Sequence, residues 1–498
     1  MQKQVFIFSL LAILVSTLQA QTDIDALRFA TPSVQGTARD IAVGNTMGTI
    51  GAEISALSTN PAGIAKFSST EFSFTPALSI NKTTSTYLNN SSKKNKVNFQ
   101  INNLGIIVSS RYSNTTAVDK WNGIKFGFAL NRLANFNNEY HFGGLNTQNS
   151  LLTHYGELLK DRNIIQSEDD AKTKYPFGAS IAYLLGLITS DSLGNIYTAT
   201  DSSSIQQDFI ISRKGGINEL AIGVGSMYKD KIMVGASIGV PIINFTEQIY
   251  LVESDVLNNI DDLNNYSNLN YLKTRGVGFN LKVGIIGMPI RNLRLSLALQ
   301  TPSVLFMKDA FSTSMEVDYA SQSVILTGDS PDGASKYKYI QPWKMTTGIG
   351  YIHKYGFVSV EYELSDVANS KFKFNLNDDA TKDYQQQVNN TIKGKYGLTH
   401  TIKAGIEFKY DPIRIRAGVQ YRTSPFKKSA EPTNISTSTL TYSAGFGYRA
   451  KKFFVDIAYY QTNQKELFVP YSTNNNDTPQ AVLSSKKPAI ALTVGYKL

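Results

Sequence analysis

An alternation of period two, repeated through the carboxyl-terminal half, constrains this chain more than any other feature. In 277–285, Val277, Phe279, Leu281, Val283 and Ile285 share one face, while Gly278, Asn280, Lys282 and Gly284 share the other. Leu293, Leu295, Leu297 and Leu299 repeat the pattern against Arg294, Ser296 and Ala298, as do Ile490, Leu492, Val494, Tyr496 and Leu498 in the last segment. Successive side chains of a strand point to opposite faces, so each segment reads as a strand with one greasy face. Beyond residue 20, no apolar run approaches the ~18 residues of a membrane-crossing helix. Such a chain meets lipid only as a closed sheet, the other structure that satisfies its own backbone there.

Soluble sandwiches alternate too, and the second face separates the two sheet types. A sandwich turns Lys, Glu and Thr to bulk water. Here the second face mixes Gly, Ala and Ser with isolated charges, as a crowded polar lumen requires. The chain has 27 Tyr and 26 Phe. Trp343, Tyr351, Tyr410, Tyr421, Tyr448 and Tyr496 fall near segment ends, where aromatic girdles of a barrel sit. A secreted β-sandwich with ordinary cross-strand aromatics is the competing fold.

Fourteen segments are counted, at 70–80, 98–110 and 122–132 and then from 215–228 to 489–498. Short turns such as 229–231 and 411–412 alternate with long polar stretches such as 251–272, 307–340 and 366–396. That is the polarity of an outer-membrane barrel, short turns inside and long loops outside. Two regions do not fit a bare barrel. Residues 133–213 form an expected extracellular insertion, in which Leu151, Leu152, Tyr155, Leu158 and Leu159 lie at helical spacing. These side chains either pack loops together or capture an apolar ligand. Residues 21–68 are rich in Gly and Ala without sustained alternation, which suits a compact segment threaded through a narrow lumen.

Residues 1–20 carry one charge, Lys3, then an apolar run ending at Leu18-Gln19-Ala20, and read as a secretory signal peptide. The chain has no cysteine, which removes disulfides, thiolate metal sites and Cys nucleophiles together. Its net charge of +10 comes from scattered Lys and Arg, so nucleic acid is not an expected partner. Gly235-Ala236-Ser237-Ile238-Gly239 spells a hydrolase nucleophile elbow but falls within a strand, with no helix after it. His141, His154, His353 and His400 show no metal-ligand spacing. No cofactor, no metal and no reaction are expected.

The segment Gly51 to Ala65, with Asn60-Pro61-Ala62-Gly63 inside it, resembles the amino-terminal hatch of the FadL/OmpP1/TodX family of outer-membrane transporters. Thr37 to Gly48 is similar to the stretch leading into it, so the close match covers about thirty residues, within the range a short motif specifies. The resemblance implies a monomeric all-β fold: a 14-stranded antiparallel transmembrane β-barrel with an N-terminal hatch plugging the lumen and a partly helical extracellular cap. It implies inward passage of hydrophobic or amphipathic small molecules, long-chain fatty-acid-like or aromatic, leaving sideways at a kinked third strand. Gly123 and Gly127, inward on the segment 123–132, are the expected place for that kink.

The expected organisation is therefore a signal peptide at 1–20, a hatch at 21–68 and the barrel at 69–498. Asn60, Pro61, Ala62 and Gly63 are the gating candidates, Pro61 stiffening the corner by its fixed φ. Leu151, Leu152, Tyr155, Leu158 and Leu159 are the ligand-capture candidates. Lys403, Glu407, Arg414 and Arg416 are the candidate lumen charges. These ions pair with one another and with Arg39, Asp40 and Glu53, or their positive excess steers a carboxylate head group. The preferred account is pairing. The partners expected are a hydrophobic ligand, outer-membrane lipid and the barrel assembly machinery. Rival functions are a general or anion-preferring porin, a structural or adhesive barrel, and an outer-membrane lipase or protease.

Overall fold

In the computed structural model, which describes residues 22–110, 120–160, 175–191, 195–200, 204–374, 379–432 and 435–498, fourteen antiparallel strands close into a barrel. The expected leader, 1–20, lies outside the described residues. The strands are β1 (Glu71–Tyr87), β2 (Asn90–Ser109), β3 (Trp121–Asn135, resuming at Asn138–Asn146), β4 (Ile205–Tyr228), β5 (Ile232–Ser254) and β6 (Leu263–Gly287). There follow β7 (Leu293–Gln300 and Ser303–Tyr319), β8 (Gly333–Gln341 and Lys344–His353) and β9 (Gly356–Asp366 and Lys371–Phe374). The last five are β10 (Leu398–Tyr410), β11 (Ile413–Arg422), β12 (Thr439–Arg449), β13 (Phe453–Phe468) and β14 (Ala481–Lys497). Each pairs with its sequence neighbours, and β1 pairs with β14 from Glu71↔Lys497 to Thr86↔Val482, which removes the sheet edges.

The alternation becomes an outward apolar belt. Val277, Phe279, Leu281, Val283 and Ile285 are all exposed on the outer wall, as are Leu295, Leu297, Leu299, Ile490, Leu492 and Val494. Their alternates Lys282, Arg294 and Thr493 are buried inside. Tyr351, Tyr410, Tyr448 and Tyr496 are exposed at the ends of strands running toward the short turns, which places an aromatic girdle at that rim. No helix among the described residues is long and apolar enough to cross a membrane.

The wall is taller than the greasy pattern indicates. β1 and β2 continue to a two-residue turn at Leu88-Asn89, where the alternation left an open connection between 80 and 98. Much of the stretches 251–272 and 307–340 is likewise strand, because the ladder continues above the lipid while the need for an apolar face ends there. The insertion at 133–213 begins and ends as strand; between lie α4 (Leu151–Lys160), α5 (Ala179–Leu184) and a small hairpin of Ile188–Ser190 with Ile196–Thr198. A further external helix after β9, with described bounds Asp379–Lys395, has no counterpart in the expected loop there.

The amino-terminal segment fills the bore as α1 (Asp23–Ala30), α2 (Ala38–Ala42), α3 (Met47–Ile50) and two 3-10 turns, Ile54–Ser58 and Pro61–Lys66. Numbering the external helix after β9 as α6, its end roofs α1: Lys395 pairs with Asp23 at 3.1 Å, and the Tyr396 hydroxyl donates to Asp23 at 3.0 Å.

The belt sets an expected outcome. Leu281→Arg, at the middle of the lipid-facing row, destabilises the barrel by about 2–4 kcal/mol in a bilayer unfolding titration. Asn244→Arg, also outward but above the belt, costs about 0–1 kcal/mol.

Candidate functional site

Glycine is what allows main chain to lie directly on the wall. A Cβ at Gly405 on β10 would overlap the Val43 carbonyl, and one at Gly418 on β11 would overlap the Gly44 amide. On the opposite wall, Gly235 of β5 faces the Pro61 carbonyl and Gly284 of β6 faces the Asn60 side chain, again with no room for a Cβ. Leu57 drops between Gly127 of β3 and Gly223 of β4. The small residues of the plug and the glycines of the wall are two halves of one fit.

Asn60, Pro61, Ala62 and Gly63 form the start of the second 3-10 turn, all buried. The Asn60 side chain accepts from the Ala62 amide at 3.2 Å and donates to the Gly48 carbonyl at 2.9 Å, tying this turn to α3. The Ala52 amide donates to the Gly63 carbonyl at 2.9 Å. The corner is thus a fixed piece wedged against β4, β5 and β6.

Buried charges seat the rest. Arg416 binds Glu407 at 2.6 Å and Asp456 at 2.7 Å; Arg449 binds Asp456 at 2.7 Å, and Arg39 of the plug reaches Glu407 at 3.6 Å. Lys403 pairs with Glu363 at 2.8 Å, and Lys282 with Glu219 at 2.8 Å. The Thr49 amide donates to Glu361 at 2.7 Å. Three of the four candidate lumen charges, Lys403, Glu407 and Arg416, lie in this lattice. Arg414 does not: it binds Asp411 at the periplasmic turn and the Ile413 carbonyl.

Within the plug, Asp40 accepts from Ser55 at 2.9 Å and Asn45 at 3.1 Å, and Glu53 accepts from Thr37 at 2.9 Å. Burial raises the Glu53 carboxyl to about 7, the nearby Asp40 charge adding to the shift and Arg39 opposing it. Burial raises Asp40 as well, its hydrogen bonds offsetting part of the effect.

Above the plug the bore keeps connected space. A cavity of about 250 Å³ runs beside α1, with Leu27, Ala134, Phe136 and Phe245 on its apolar side and Arg422 and Lys487 on its polar side. The Arg422 guanidinium donates to the Pro32 carbonyl at 2.7 Å; Glu363 attracts Arg422, and Glu466, on the same cavity wall, attracts Lys487, without a close ion pair in either case among the described residues. A second cavity of about 120 Å³, lined by Lys344, Lys403 and Glu363, and a third of about 50 Å³, lined by Gln100 and Asn135, share Ser33 and Val34 with the first.

Beside the third cavity the wall is breached. The β2–β3 ladder ends at Asn103↔Asn131, and from there to Asn90 strand β2 pairs with β1 alone. The upper part of β3 passes on the lumen side instead, its Glu139 carbonyl accepting from Thr83 at 2.7 Å and its Gly143 carbonyl from Asn90 at 3.2 Å. The register slips between Arg132 and Ala134, the Phe136 amide donates to the Gly215 carbonyl at 3.0 Å, and Gly215 takes a φ of +107° to allow it. The outward Val97 and Phe99 are 64% and 69% exposed, more than most of the belt, with a strand, β1, on one side only. The break is therefore at 132–137. Gly123 does take a positive φ at a second slip near the periplasmic rim, but Gly127 is regular strand that receives Leu57.

The capture candidates are placed elsewhere. Leu151, Leu152, Tyr155 and Leu159 are buried in the cap's own core with Tyr87, Phe209 and Tyr266, Leu158 packs at its margin, and none of the five lines these cavities. The helical spacing reported packing. Ser237 donates to the Leu57 carbonyl at 2.8 Å from mid-strand and is a plug contact. The residues at the breach and cavity, Gln100, Asn135, Arg422 and Lys487, were not singled out by pattern; the inward amides Asn98, Gln100 and Asn102 in succession were the available signal.

The wall and the segment inside it define a closed antiparallel barrel filled by its own amino terminus. Residues 218–498 match the family model described as outer membrane protein transport protein (OMPP1/FadL/TodX), and the chain belongs to that family. Its fold is similar to that of a Pseudomonas aeruginosa FadL homologue at 10% identity, covering 94% of this chain and 99% of that one with a TM-score of 0.54. It is similar also to the P. putida toluene transporter TodX, at 13% identity over 94% and 99% of the two chains with a TM-score of 0.51. No curated protein sequence matches. The protein is a bacterial outer-membrane transport protein.

Two outcomes are expected. Gly418→Val overpacks the wall against Gly44 and weakens plug docking by about 1–3 kcal/mol, read as faster amide exchange across 38–50. Because the Glu53 carboxyl lies above its ordinary 4.5, at about 7, the docked plug favours the protonated form. Its stability is greatest below pH 4.5, falls as pH rises to about 7 and is level above that. Amide exchange at 37–56, corrected for intrinsic rate, increases across that window, and Glu53→Gln flattens the change.

Proposed function

We propose that the protein carries fatty-acid-like amphiphiles passively inward, from the cavity beside α1 to the breach between β2 and β3 and sideways into the membrane. The observation that carries this is the breach itself. An unpaired strand margin inside the lipid belt is costly unless it serves an opening, since lipid offers its amides no partner. The cavity behind it joins an apolar lining to Arg422 and Lys487, with cations outnumbering the one carboxylate, Glu466, on its wall, which suits a tail and an anionic head. Each methylene buried there contributes about 0.8 kcal/mol.

Passage requires the plug to shift, and the turn at Asn60, Pro61, Ala62 and Gly63 moves as a unit because Asn60 caps it and Pro61 stiffens it. One chain closes its own sheet, so the working unit is a monomer, inserted by the barrel assembly machinery. The toluene transporter and hydrocarbon channels among the similar structures are named for aromatic hydrocarbons. The paired cations beside this cavity favour a charged head instead. A porin reading loses its support because residues 23–66 occupy the bore.

The chain lacks cysteine, so a thiol bridge across the breach is clean to build. Gln100→Cys with Asn135→Cys, joined by a short bis-thiol reagent, reduces uptake of a labelled C16 fatty acid by intact cells about tenfold, ~1.4 kcal/mol in barrier. Either single variant treated alike keeps uptake. Unchanged uptake in the bridged protein rules out lateral exit here.

A further inference from the structure

The outer wall carries a charge arrangement that neither the transport path nor the family accounts for. On the extracellular side of the apolar belt, β6, β7, β8 and β9 present Arg275, Lys308, Lys336, Lys338, Lys371 and Lys373, all exposed. The ladder sets them in rows. Arg275 lies opposite Lys308, and Lys308 opposite Lys336; one row lower, Lys338 lies opposite Lys373. Like charges directly opposite across strands sit about 4.5–5.5 Å apart at Cβ and destabilise a sheet. No carboxylate shares these rows, and none of the six makes an ion pair among the described residues.

Position identifies what relieves the repulsion. Three of the cations follow at once on the last lipid-facing residue of their strand, Arg275 after Val277, Lys308 after Phe306 and Lys338 after Ile340, and Lys336 lies one step above Lys338. Lys338 lies over the Phe306 ring at 5.6 Å, its stem on the belt and its ammonium at the upper boundary. A soluble partner would meet the loops. This patch meets the head groups of the outer leaflet, side-on, with acyl chains running down Val277 and Phe306. Several adjacent cations in fixed register match a head group with more than one phosphate, which accepts charge-assisted hydrogen bonds from each.

We propose that β6 to β9 form a binding site for a phosphorylated glycolipid of the outer leaflet, its phosphates bridging Arg275, Lys308 and Lys336 and its acyl chains lying on the belt below. The site is on the outside of the wall, separate from the bore, and orders lipid next to the protein.

Native mass spectrometry on the full-length protein in detergent tests this, with three probes: bisphosphorylated lipid A, the same lipid with both phosphates removed, and phosphatidylglycerol. Wild type retains bisphosphorylated lipid A at least tenfold more tightly than either other probe. Arg275→Gln with Lys308→Gln and Lys336→Gln removes that preference, and Arg275→Lys with Lys308→Arg and Lys336→Arg keeps it. Equal binding of the three probes by wild type overturns the proposal, as does a neutral variant that still prefers the bisphosphorylated lipid. Should the neutral variant fail to fold, the wild-type preference and the charge-preserving variant decide alone.

Discussion

In hydrocarbon a peptide group has no water to turn to, so each N–H and C=O must find its partner within the protein. The closure of β1 on β14 satisfies that demand around nearly the whole wall. Everything else follows from it: the even strand count, the outward belt, and the burial of the inward charges at belt level, such as Lys282, Arg294 and Arg416. Among the described residues it also marks a stretch at belt level where the demand is not met. Between Asn90 and Asn102, β2 has no neighbour on the β3 side, and the upper part of β3 has moved inward to bond Thr83 and Asn90.

The bore is filled by a plug that fits through backbone contact. Wall glycines on β10 and β11 admit Val43 and Gly44, and those on β5 and β6 admit the Asn60 corner. The charges then lock it at points, Arg39 to Glu407 and Thr49 to Glu361. Breaking a buried pair is costly, so these contacts hold the plug in its seat. The carboxyls of Asp40 and Glu53, raised by burial, are the weakest part of that seat at neutral pH.

Much of this was legible in the residues because lipid imposes a pattern. Val277 to Ile285 alternates because one face meets hydrocarbon, and wherever that holds the strands lie where the period puts them. Above the belt both faces are polar, and the period disappears while hydrogen bonding continues; that is why β1 and β2 reach Leu88-Asn89 unannounced. The plug was legible from its small residues. The breach was not, since it depends on a two-residue break at Phe136-Asn137 and a positive φ at Gly215, almost eighty residues away. The helical leucines of α4 lie in the cap's own core, so their apolar spacing reports burial there, the packing alternative their pattern left open. The external patch on β6 to β9 was hidden for a related reason, as its cations are scattered in sequence and meet only through strand register.

Single-channel recording in planar bilayers tests the occluded bore most directly. The intact protein should pass almost no steady ion current, and a variant lacking residues 23–66 should open a stable, large conductance. An intact protein that conducts like an open pore, or a deletion that changes nothing, would contradict the account.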